Sequence, residues 1–187
     1  MLSKKLDGIE RKIKKEIIDS IKNNTSFKNI VLSTVSNNKP SQRIVVLREF
    51  SNDWNVYFYS DSRSRKIQEI KRNKTVSILL YNSEKKNQIR IYGTSNICEE
   101  RRMKWEQMSI YSKKNYNTVL KPGEFQKNHL TKYNKKHELG YKNFCIIKVQ
   151  VNELDCLYLS KRVDKRVKIK ILREGKNIIF KKEWIVP

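Results

Sequence analysis

Hydrophobic positions change their spacing along this chain, and each change marks an element. Leu2, Leu6, Ile9, Ile13, Ile17 and Ile21 recur every three or four residues with charged residues between them, which predicts an amphipathic helix at the N-terminus. From Phe27 the period shortens to that of a strand. Ile30 to Val35 is rich in β-branched residues and ends at Asn37, Asn38, Lys39 and Pro40, a turn by composition. Within residues 42–93, four apolar runs of strand length follow, RIVVL, NVYFY, TVSILLY and QIRIY, separated by short polar breaks. Ile67 and Ile70 give one of those breaks the apolar face of a short helix. Arg101 to Ser109, with Met103, Trp105 and Met108, reads as helix, and 111–142 shows no clear period. Phe144 to Val151 and Leu154 to Leu159 return to strand pattern, and Val167 to Leu172 with Ile178 to Phe180 predict a last hairpin around Gly175.

So many short strands in a chain of 187 residues must hide their edges. The pattern predicts a mainly β protein with flanking helices, its six or more short antiparallel strands forming a closed or split barrel. The length supports one core. The expected organisation is a helix over 1–24 packed on a single domain over 25–187, with a helical or loop insertion at about 111–142. The first helix reads as a cap on the barrel or a subunit contact; a membrane-surface role fits less well, because its apolar stripe is narrow and lacks aromatics.

Charge adds a second hypothesis. Lys and Arg number 42 against 19 Asp and Glu, a formal net charge of +23, which raises nucleic-acid binding as a function. The lysines are spread through nearly every polar break, however, and a backbone-binding surface concentrates them. No specific nucleic acid is expected. Cys98, Cys145 and Cys156 lack CxxC spacing and fit reduced thiols in a cytoplasmic protein, and no stretch has the length of a membrane span. His129 and His137 stand far from any Cys or carboxylate cluster, so no metal site is expected. No P-loop, GxGxxG, GxSxG or HExxH occurs.

Two places carry candidate chemistry. Arg43 and Arg48 bracket an aliphatic run, and a buried guanidinium needs an anion. Strand alternation sends these two side chains to opposite faces unless a bulge or a subunit boundary intervenes. Tyr59, Ser60, Ser62, Ser64, Arg65 and Lys66 lie at a strand-to-helix junction, where hydroxyls, cations and free backbone N–H groups converge as a phosphate requires.

With their order and spacing, Arg43-Ile-Val-Val-Leu-Arg48, Phe58-Tyr59-Ser60, Ser64-Arg65-Lys66 and Gln88-Ile-Arg-Ile-Tyr-Gly93 resemble the pyridoxamine 5′-phosphate oxidase family of FMN-binding split barrels. The C-terminal Arg162, Arg166 and Trp184-Ile-Val-Pro187 look like that family's last strands. The resemblance implies a six-stranded antiparallel split β-barrel that forms a homodimer with FMN in clefts between subunits. It implies that Arg43, Tyr59, Ser60, Arg65 and Lys66 hold the FMN phosphate, that Val45, Val46 and Arg48 contact the cofactor, and that Gln88 meets the flavin edge. Arg166 would come from the other subunit. The true oxidase's substrate-phosphate clamp falls on Arg48, Trp105, Ser109, Lys113, Arg162 and Asp164, with altered residue types, and Arg48, Trp105, Lys113 and Arg162 remain as expected substrate-binding residues. No catalytic residue is named. Three readings follow: an FMN-dependent oxidoreductase acting on an unassigned small molecule, a true pyridoxamine or pyridoxine 5′-phosphate oxidase, and a basic β-barrel that binds nucleic acid.

Overall fold

The computed structural model describes residues 6–136 and 138–187, so Leu2 and His137 lie outside the described residues. The elements are α1 (Ile9–Asn23), β1 (Asn29–Ser36), β2 (Lys39–Phe50), β3 (Asn55–Asp61), α2 (Arg65–Arg72), β4 (Thr75–Asn82), β5 (Asn87–Cys98), α3 (Arg102–Glu106), α4 (Ile110–Lys114), α5 (Glu138–Asn143), β6 (Phe144–Tyr158), β7 (Lys165–Glu174) and β8 (Asn177–Ile185). The strands form one sheet in the order β3-β2-β1-β4-β5-β6-β7-β8, and a further β3–β6 pairing closes the first six of that order into a barrel. Every pairing is antiparallel. The expected six-stranded barrel is present, and the β7–β8 hairpin extends from it.

Local chemistry explains the connections. Ser36 pairs with Lys39, so Asn37 and Asn38 form a two-residue turn, with φ of 50° and 58°. Asn tolerates that left-handed region, and such turns match the twist of a hairpin. Inside the barrel Leu32, Leu47, Phe58, Ile78, Leu80, Ile89 and Ile147 are buried, and Ile13 and Ile17 of α1 join the same core. The N-terminal stripe therefore faces the barrel.

Two expectations change. The helix expected to run to Ser109 stops at Glu106, because the Ser109 hydroxyl accepts from the Ser112 N–H at 3.2 Å and starts α4 instead. The two strands expected after residue 143 are one, β6. Tyr92 pairs with Glu153 and Gly93 with Val151, so Asn152 is the extra residue of a bulge, not a break. Gly93 is required there: a Cβ would lie 2.4 Å from the Gln150 carbonyl oxygen.

Candidate functional site

β3 ends at Asp61, and the chain turns into α2 through Ser62, Arg63 and Ser64. The turn is braced by the Asp61 carboxylate, which accepts from the Arg63 N–H at 2.8 Å and pairs with the Arg63 guanidinium at 2.7 Å. Ser64 holds the N-cap position of α2 in extended conformation, but its side chain makes no capping bond. The first N–H groups of α2 are thus left for another acceptor. The Ser64 hydroxyl instead accepts from Lys66 Nζ at 3.2 Å, and the buried Ser60 hydroxyl accepts from the same ammonium at 3.1 Å. Burial, then the Arg43 charge, pushes Lys66 below its ordinary pKa. Among the described residues no carboxylate pairs with it. An ammonium, two hydroxyls and uncapped N–H groups thus meet with no anion among them.

The anion that Arg43 calls for lies inside the chain. Its Nη2 pairs with Glu69 Oε2 at 2.7 Å and donates to Ser41 Oγ at 2.7 Å, while Nη1 donates to Thr34 Oγ1 at 2.5 Å. Arg65 Nε reaches the other Glu69 oxygen at 3.0 Å. Burial raises the Glu69 pKa, but the hydrogen bonds from Thr34 and Arg43 and the charges of Arg43 and Arg65 overcome this and hold it below its ordinary value. Arg43 and Arg65 share this single carboxylate and Lys66 pairs with none among the described residues, so positive charge is in surplus. Sequence reasoning missed Glu69 and Thr34. The four-residue spacing from Arg65 to Glu69 was the available signal.

Arg43 and Arg48 do lie on opposite faces. Leu47 pairs with Phe58 and Glu49 with Tyr57, so the exposed Arg48 sits at a bulge, its guanidinium 5.2 Å from the Tyr59 ring centroid. Tyr59 also meets Phe144 edge-on at 5.1 Å. Val45 is buried in the core and offers a ligand only its backbone; Val46 is half-buried on the outer face beside the exposed Ile44. Arg48, Tyr59, Lys104 and Ser109 line a cleft of about 330 Å³.

Gln88 and Arg166 belong to a second group, on the outer face of β5, β6 and β7. Both are register partners of Leu157. Arg166 grips Asp155 through Nε and Nη2, each at 2.9 Å, and Arg90 Nη2 reaches the same carboxylate at 2.5 Å. The Arg166 hydrogen bonds, with the Arg90 charge, outweigh burial and hold Asp155 below its ordinary pKa. Asp155 and Arg90 were not foreseen, although Arg90 follows Gln88 at the two-residue step of one strand face. The two groups stand on opposite walls: β2 and β5 are three strands apart whichever way the barrel is followed, each step about 4.8 Å. Among the described residues no hydrogen bond or ion pair joins them.

The expected substrate residues are not gathered either. Trp105 packs against Tyr116, Tyr141 and Phe144, with Lys113 Nζ 5.7 Å from its ring centroid, away from the Arg48 cleft. Arg162 is exposed on the β6–β7 loop, where Asp164 braces the turn by accepting from the Ser160 N–H at 2.8 Å. Among the described residues no His, Cys, Asp and Glu cluster could hold a metal, and no helix is long and apolar enough to cross a membrane.

The family model for the pyridoxamine 5′-phosphate oxidase FMN-binding domain matches residues 7–99, a segment that contains both Arg43 and Gln88 and the whole β3–α2 junction. The chain belongs to this FMN-binding family. Solved structures share the fold, two of them over nearly the full length of this chain. One is a pyridoxamine 5′-phosphate oxidase-related, FMN binding protein from Nostoc punctiforme, with 19% identity, a TM-score of 0.74, and 95% of this chain and 97% of that one covered. PhzG from Burkholderia lata, solved in complex with tetrahydrophenazine-1-carboxylic acid, gives 20% identity, a TM-score of 0.68, and coverage of 95% and 91%. General stress protein 26 from Bacillus anthracis gives 25% identity, a TM-score of 0.52, and coverage of 76% and 92%. A search of curated proteins by sequence finds no match.

Proposed function

We propose that the chain is an FMN-dependent oxidoreductase that works as a homodimer on a small organic substrate. The observation that carries this reading is the β3–α2 junction, where the Lys66 ammonium meets the Ser60 and Ser64 hydroxyls at an uncapped helix start. These residues fit a phosphate monoester, since a dianion there would satisfy the free N–H groups and the surplus charge together. Ser60, Ser64, Arg65 and Lys66 would hold it, with Arg43 fixed behind them by Glu69. When bound, the isoalloxazine supplies the redox step.

The remaining roles belong to the chain. Gln88, an amide that both donates and accepts, suits a heterocycle edge with alternating donors and acceptors, and Arg166, steadied by Asp155, adds a fixed positive charge beside it. Since that pair sits on the wall opposite β2, one cofactor would meet both groups only when a second copy contributes Gln88 and Arg166. Arg48, Lys104 and Ser109 line the cleft nearest Tyr59 and would orient an anionic substrate group. Three free thiols fit a reducing, cytoplasmic setting.

The experiment is purification followed by an absorption spectrum and light scattering. A yellow dimer that releases FMN on denaturation is the expected result. Arg65→Ala with Lys66→Ala should lower FMN affinity by at least about tenfold, since each charge-assisted bond contributes about 1.5–3 kcal/mol, and riboflavin should bind far less well than FMN. A double variant that keeps wild-type affinity would refute the phosphate site. Turnover of pyridoxine phosphate should be slow, because Ser109 and Asp164 serve a helix start and a loop turn in place of a phosphate clamp; rapid turnover would favour the true-oxidase reading.

A further inference from the structure

Beyond the segment matched by the family model, α3, α4, α5 and the loop between α4 and α5 enclose a separate cavity of about 530 Å³. Its walls include Trp105, Tyr133 and Tyr141, with Ile110 exposed beside them. The size is that of a pocket for a small organic molecule, and the aromatic walls suit a flat one. An open cleft of about 550 Å³ beside α1 is lined by charges of both signs, lysines and carboxylates, with Phe27 as its one aromatic.

The charges of the cavity are unequal. Arg102 is taken up by Glu106 at 2.6 Å. Lys114 Nζ lies 4.4 Å from the Tyr133 ring centroid and Lys113 Nζ 5.7 Å from that of Trp105, and among the described residues neither lysine pairs with a carboxylate. The exposed Glu138 is the other acid of the wall. Asn117 is 5% exposed; its Nδ2 donates to the Asn134 carbonyl at 2.9 Å, and its Oδ1 has no donor. A buried acceptor left unpaired in a cavity wall calls for a donor.

We propose that this cavity is an accessory binding site for a planar aromatic carboxylate carrying a hydroxyl or N–H donor. The ring stacks among Trp105, Tyr133 and Tyr141, the carboxylate takes Lys114 and Lys113, and the donor faces the Asn117 amide. The site is distinct from the β3–α2 junction and from the Arg48 cleft. It gives Trp105 and Lys113 a role that the Arg48 cleft does not.

The test uses 3-hydroxy-2-naphthoate and the full chain, with and without FMN. Titration calorimetry should show one site per chain with the same affinity in both forms, and amide NMR shifts should concentrate in 102–117 and 133–141. Lys114→Met should weaken binding about tenfold, the loss of one charged contact, and the uncharged 2-naphthol should bind at least as weakly. Absence of binding at millimolar probe, competition by FMN, shifts centred on Arg48 and Tyr59, or equal affinity of 2-naphthol would each overturn the proposal. Should Lys114→Met fail to fold, the wild-type shift map and the 2-naphthol comparison decide. Because the probe is titrated without flavin as well, failure of this site and failure of FMN binding give separate readouts.

Discussion

At the scale of single residues, Lys66 is the most informative group. Its ammonium sits among hydroxyls, and burial with the Arg43 charge lowers its pKa. A bound dianion reverses that shift, so phosphate binding takes up a proton in the window between the lowered and the restored pKa. Affinity for FMN must therefore fall as pH rises through that window. Isothermal titration in buffers of different ionisation enthalpy should show proton uptake there, and Lys66→Met should abolish it; uptake unchanged in Lys66→Met would assign the proton elsewhere. Asp155 obeys the opposite sign. Its folded pKa lies below its ordinary value, so its contribution is complete above the unfolded pKa and is lost as pH falls through the folded one. Asp155→Asn should cost about 2 kcal/mol near neutral pH, since the carboxylate is 6% exposed and accepts charged hydrogen bonds. The acid limb of its stability curve should be flatter than that of the wild type. Equal acid limbs in urea melts would show that the triad contributes nothing.

At the scale of elements, the bulges decide which face each strand presents. Asn152 lets β6 follow β5 past the tight approach at Gly93, where a Cβ would lie 2.4 Å from a backbone oxygen that cannot turn aside. Gly93→Ala should cost about 3 kcal/mol by forcing the strands apart, lowering the thermal midpoint measured by circular dichroism; a midpoint within a degree of wild type would mean the strands separate freely. These devices also mark what the sequence could and could not tell. The Asn37–Asn38 turn was readable because its backbone demand falls on residue types that meet it. The β6 bulge at Asn152 was not, since one polar residue in an apolar run looks the same whether a strand ends or swells. The α3 boundary was hidden because helical spacing persists across Ser109, and only the hydroxyl's choice of the Ser112 N–H ends it. At the candidate site the cations and hydroxyls stood together in sequence. Glu69 and Asp155 did not, because their meaning comes from partners that the fold brings from other elements.

At the scale of the molecule, the two halves of the proposed site lie on opposite walls of one barrel, and the surface between them carries an apolar row. Ile44, Val31 and Leu79 form one outward row across β2, β1 and β4, with Ile44 72% exposed, and Tyr81 and Tyr92 flank it at 52% and 37%. A second copy seated on this face would bury the row and carry its Gln88 and Arg166 toward the β3–α2 junction. Each copy also bears a formal charge of +23. Their repulsion reaches about 30 Å at 10 mM salt but only about 8 Å at 150 mM. Dimer dissociation should therefore be strongest at low ionic strength, the reverse of an interface held by opposite charges. FMN should reduce this sensitivity by bringing two negative charges to each site. Sedimentation velocity at 10 and 150 mM salt, with and without FMN, measures all four states. Ile44→Asp should yield a folded monomer by circular dichroism that no longer retains flavin, since half of the contacts would be missing. A monomeric Ile44→Asp that binds FMN as tightly as the wild type would show that one chain suffices, and a dimer that tightens at low salt would place the contact on another face.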